Sequence, residues 1–75
     1  MRRYLVSYFC DRVQLDTHTM VAADDDSAFE RVVNIMEGSP RMTLASVDRI
    51  EGLGQLVALG LVTARAIERE KADVN

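Results

Sequence analysis

Hydrophobic and polar positions change rhythm several times along this chain. Between residues 3 and 10 they alternate, with Tyr4, Val6, Tyr8 and Cys10 on one side and Leu5, Ser7 and Phe9 on the other. Alternation with aromatic and β-branched content predicts a strand, and large apolar groups on both sides place it centrally in a sheet. Asp11-Arg12 interrupts the run, so a turn is expected within 11–16. Residues 17–23, Thr17-His18-Thr19-Met20-Val21-Ala22-Ala23, read as a second strand, antiparallel to the first. No Asn-Gly or Asp-Gly marks the turn, which leaves the register open.

The period then lengthens. Ala28, Phe29, Val32, Val33 and Met36 recur at the spacing of one helical face, which predicts a helix over 25–37. Gly38 stands where a left-handed C-terminal cap belongs, and Pro40 blocks continuation. Residues 42–50 form a weaker strand pattern. After Gly52, the stripe Leu53, Leu56, Val57, Gly60, Leu61, Ala64 and Ile67 fits a second helix. A deeply inserted helix, or a strand over 56–62 with Leu59 in the core, is the competing reading of the same run. A polar tail follows, with 70–75 expected to fray. The predicted order is β-β-α-β-α. This is an α+β fold: a small antiparallel sheet, a helix packed on one face and a C-terminal helix.

Under the helical reading of 53–67, Leu59, Val62 and Ala66 lie on a second apolar face beside the main stripe. A helix apolar nearly all round must be covered on more than one side. These three residues are therefore candidates for an interface with a second copy or another partner.

The stretch Asp24-Asp25-Asp26 precedes the first helix. Asp24 sits where an N-cap belongs, and the next two acids fall at the positive end of the helix dipole. Ser27 with Glu30 three residues on is the alternative capping arrangement. A calcium loop is disfavoured, because its oxygens are spaced around a turn with a glycine and a distant glutamate. One carboxylate suffices for the cap. Asp24, Asp25, Asp26 and Glu30 are therefore also candidates for an acidic knob that docks on a basic partner.

With 75 residues a single domain is expected, spanning 1–75. One cysteine excludes an internal disulfide and fits a reducing cytoplasm. One cysteine and one histidine make a metal centre a poor expectation, and no cofactor is predicted. The net charge of -3, from twelve acids against nine bases, disfavours direct binding to nucleic acid. The N-terminal apolar run of seven residues is too short for a secretory signal, and 53–66 falls short of the roughly 20 residues that span a bilayer. A soluble cytoplasmic protein without a membrane segment is expected.

Two chemical patterns remain. Cys10 and His18 would face each other if the hairpin turn centred near Gln14, which would mimic a nucleophile–base pair. A buried strand cysteine and an edge histidine explain them as well, and no third group or oxyanion donor is evident. Gly52-Leu53-Gly54 begins like a dinucleotide fingerprint, but Val57 stands where glycine or alanine is required and no parallel βαβ unit surrounds it. It reads instead as a flexible entry to the last helix.

Tyr4-Leu5-Val6-Ser7-Tyr8, then Thr19-Met20-Val21-Ala22-Ala23-Asp24, a helix, and Val47-Asp48-Arg49-Ile50 resemble the ββαβ layout of small phage and mobile-element proteins, several anti-CRISPR proteins among them. The resemblance covers residues 3–51 and rests on layout, without a shared motif. It implies a non-catalytic inhibitor encoded by a phage, working in the host cytoplasm by blocking a host protein complex at its nucleic-acid surface. It assigns no role to any particular residue. The leading expectation is thus a protein-binding module whose partner is a host protein or complex, with a homodimer also allowed. The alternative is a small homodimeric regulator that contacts nucleic acid through arginines and the strand tyrosines. An enzyme using Cys10 and His18 comes last.

Overall fold

The computed structural model describes residues 1–67. Strands β1 (Arg2–Cys10) and β2 (Val13–Ala22) are followed by helix α1 (Asp25–Glu37), then by strands β3 (Leu44–Glu51) and β4 (Gln55–Thr63). A short helical stretch, 64–67, closes the described chain, with the Thr63 hydroxyl accepting from the Ala66 N–H at 3.1 Å. The four strands form one antiparallel sheet in the order β2-β1-β3-β4, so β1 is central, as its two apolar sides require. The α+β class and the helix on one sheet face agree with the sequence reading.

The first hairpin turns at the start of the expected 11–16 window, so β2 begins at Val13 rather than at 17. Cys10 pairs with Val13, so Asp11-Arg12 alone makes the turn, and Asp11 takes a positive φ of 55°. Aspartate is among the few residues that tolerate this region. The register then slips near Tyr8, where Leu15 becomes a bulge residue between Gln14 and Asp16.

Helix α1 occupies 25–37 as the periodicity predicts. It buries Ala28, Val32 and Met36, spaced four apart on one side. Below them lie Tyr4, Val6 and Tyr8 of β1, Met20 and Ala22 of β2, and Ala45 and Val47 of β3. Arg31 also donates to the Val21 carbonyl at 2.6 Å, tying the helix to β2. The expected left-handed cap at Gly38 is not formed. Gly38 has φ -85° and ψ -1°, and its N–H donates to the Asn34 and Ile35 carbonyls, continuing the helical turn.

The largest departure lies in 53–67. Where the apolar stripe fits a helix, the chain forms β4, the competing reading. Gly52 (φ 53°) and Gly54 (φ 107°) reverse the chain, and the Gly54 N–H donates to the Glu51 carbonyl at 3.0 Å. Gly52-Leu53-Gly54 is thus a hairpin turn. β4 satisfies the outer backbone groups of β3, which would otherwise be left at the sheet edge. A second bulge at Leu59 sits between Ala58 and Gly60. Gly60 faces Phe29 of α1, where a Cβ would make an ordinary contact, 3.4 Å from the ring.

The other side of the sheet is not covered by any described element. Because Tyr4, Val6 and Tyr8 point to the helix, the alternate residues of β1 point away. Strand pairing then sets rows on this second face: Val21, Arg3, Ile50 and Leu56 in one, and Thr19, Leu5, Asp48 and Ala58 in the next. Thr17, Ser7, Ser46 and Leu61 follow, the Ser7 and Thr17 hydroxyls being 3.1 Å apart.

Candidate functional site

The aspartate run meets the sheet at the N-terminal corner of α1, and its three members do three different things. Asp24 has extended backbone (φ -154°) and is the N-cap, its carboxylate accepting from the Ser27 N–H at 2.8 Å. That bond to a backbone donor, backed by the Ser27 side chain, lowers the Asp24 pKa. The capping arrangement centred on Ser27 is therefore not the one used.

Asp25 points inward and joins helix to sheet. One carboxylate oxygen accepts from the Tyr4 hydroxyl at 2.8 Å, and the other from the Arg49 guanidinium at 2.8 Å. Arg2 approaches to 3.6 Å. Arg49 also binds Glu51, through Nε at 2.7 Å and a terminal nitrogen at 2.6 Å. Two cations thus face two anions in a closed network, and the Asp25 side chain is only 33% exposed. Burial, then the bond to Asp25, raises the Tyr4 pKa, while the carboxylates raise that of Arg49, Glu51 first. A shallow groove of about 320 Å³ beside the network is lined by Met1, Arg2, Arg3, Arg49, Ile50 and Glu51. Of its three arginines, Arg2 and Arg49 are already engaged with carboxylates.

Asp26 and Glu30 point to solvent. They lie four residues apart on α1, and neither has a hydrogen-bond or ion-pair partner among the described residues. Of the four carboxylates proposed for an acidic knob, Asp26 and Glu30 are free to meet a partner. Asp24 is exposed but engaged in the cap, and Asp25 is withdrawn into the fold.

The interface candidates are rearranged by the strand. Val62 faces α1 and belongs to the core, at 9% exposure, and Leu59 is half-buried against that core. Ala66 is exposed in the stretch after β4. The three do not share a helical face. The exposed large apolar residues of β4 are Leu56 and Leu61, at 53% and 65%.

Cys10 and His18 do not meet. The hairpin sets His18 opposite Val6, and His18 Nε2 lies 2.9 Å from the Tyr8 hydroxyl, with the two rings stacked. Cys10 is four residues further along β1, opposite Val13. Tyr4 and Tyr8 are 0% and 1% exposed under α1, out of reach of a stacking base. No helix among the described residues is long and apolar enough to cross a membrane. Comparison with family models, with curated proteins and with solved structures found no match to this chain.

Proposed function

We propose that this chain is a non-catalytic protein-binding module that occludes a basic surface of its partner through Asp26 and Glu30. The observation that carries the reading is the division of the acids at the head of α1. Asp24 and Asp25 have internal work, whereas Asp26 and Glu30 stand exposed on one side of the helix without a partner among the described residues. Like charges four apart on a helix repel by a few tenths of a kcal/mol. Asp26 gains from the helix dipole in the first turn, but Glu30 lies beyond that turn and gains nothing locally. A cationic partner would turn both charges into favourable contacts and would be steered to them from a distance.

The layout resemblance makes a CRISPR surveillance complex the first partner to assay, with blockade of its nucleic-acid surface as the mechanism. The test measures target-DNA binding by the purified complex as wild-type protein or the D26K/E30K variant is added. Wild type is expected to inhibit at low salt and less at high salt, and the charge reversal to relieve inhibition by about tenfold or more, which corresponds to ~1.4 kcal/mol. Equal inhibition by both proteins would remove the acidic contact. No inhibition at low salt would remove this class of partner.

A further inference from the structure

We propose that the uncovered face of the sheet is a homodimer interface, two copies packing sheet to sheet with their α1 helices outward. This goes beyond the acidic contact of α1, which lies on the opposite layer. The face is apolar towards β4, where Leu56 and Leu61 are 53% and 65% exposed beside Ile50 of β3 and Leu5 of β1.

The charges on the face name the occupant. On this face the two inner strands hold one cation and one anion, Arg3 on β1, in the end row, and Asp48 on the neighbouring β3, in the next row. Asp48 is half-buried between Leu5 and Ala58, and neither charge has a hydrogen-bond or ion-pair partner among the described residues. A half-buried, unpaired carboxylate is unfavourable in the monomer. A twofold axis brings each residue of a patch against its counterpart's neighbour, so that residue i meets j and j meets i. Arg3 of one copy, exposed in the monomer, can then meet the half-buried Asp48 of the other, twice, by a single symmetry operation.

The size is adequate. Four strands about 4.8 Å apart and roughly nine residues long present on the order of 600 Å², before the corrugation of side chains is added. A standard interface covers about 800 Å² per partner, so a reversible, concentration-dependent dimer is expected.

The test is sedimentation equilibrium of the purified full chain over a wide concentration range. Wild type should shift from the monomer mass to twice that mass. L56E/L61E should weaken association by about tenfold or more, and V13E, at an exposed residue near the hairpin turn, should not. R3D should weaken it likewise, and the R3D/D48R swap should restore it, a rescue that a merely structural effect would not produce. Circular dichroism identifies any variant that has lost its fold. Should L56E/L61E unfold, the charge swap decides alone. A wild type that stays monomeric at the highest concentration, a dimer indifferent to L56E/L61E in folded protein, or a folded swap variant without rescue would each overturn the proposal.

Discussion

Removing the Asp25 carboxylate separates the structural acids from the free ones. In D25A, the buried Tyr4 hydroxyl loses its acceptor and Arg49, whose side chain is 22% exposed, keeps only Glu51. Hydrogen bonds to charged groups contribute about 1.5–3 kcal/mol each when buried, and an orphaned donor costs a similar amount. Two reductions apply here. The Asp25 side chain is 33% exposed, so water replaces part of what is lost and screens the charges. Arg49 also retains a partner. A destabilisation of about 2 kcal/mol follows, in the upper part of the ordinary single-residue range. For a domain of this size, each kcal/mol moves the melting temperature by about 4–8 °C, so D25A should melt roughly 8–16 °C below wild type. E30A has no partner among the described residues and should stay within about 0.5 kcal/mol of wild type, and D26A loses only the helix-dipole contribution of about 0.3–1 kcal/mol. Thermal melts of the three variants, followed by circular dichroism at neutral pH, make the comparison. A D25A melt no lower than that of D26A would refute the assignment of Asp25 to the fold, and a large loss in D26A would refute the freedom of Asp26.

Three further outcomes are expected. The Asp24 pKa is lowered in the folded state, so its contribution is full above about pH 4 and is lost as pH falls through the depressed folded value; D24N, which keeps a capping oxygen, should show a flatter acid limb in pH-dependent denaturation. Burial raises the pKa of Tyr4, helped by Asp25, and of Tyr8, helped by the Asp16 charge; the stability they hold below about pH 10 is lost as pH rises through the folded values. Tyrosinate absorbance should therefore grow only as the chain unfolds, and its appearance near pH 10 in folded protein would contradict their burial. G54A forces a side chain onto φ 107° and should cost about 1–3 kcal/mol, whereas G38A, at φ -85° with nothing nearer than 3.7 Å, should be neutral or stabilising by about 0.4–1 kcal/mol. Equal melting temperatures for the two glycine variants would contradict the turn geometry.

The parts of the fold legible in the sequence are those with one physical reading. The helix over 25–37 combines a 3.6-residue stripe, an aspartate cap and a following proline, and no strand satisfies all three. β1 is equally plain, since large groups on both sides require a central strand. The run 53–67 is different, because apolar residues at nearly every position satisfy either period. Its arbiter is the pair Gly52 and Gly54, whose positive φ values mark a hairpin, together with Gly60, a poor residue for a helix interior. Read as a helix, the run made Leu59, Val62 and Ala66 neighbours; in β4 the exposed apolar pair is Leu56 and Leu61.

The candidate site was legible in kind but not in its division. That one aspartate caps the helix follows from position alone. That Asp25 is consumed by the fold does not, because its partners Tyr4 and Arg49 stand 21 and 24 residues away in the chain and meet it only once β1 and β3 pair. Arg3 and Asp48 are likewise unremarkable until strand register sets them in adjacent rows of one face.

The contact proposed for this protein is between Asp26 and Glu30 of α1 and a basic protein surface. Its most direct test is isothermal titration of wild type and D26K/E30K into a purified CRISPR surveillance complex at low salt, with both proteins shown to be folded. Saturable binding by wild type that weakens by about tenfold or more in the variant is the predicted result. Identical isotherms, or no heat from wild type, would contradict it.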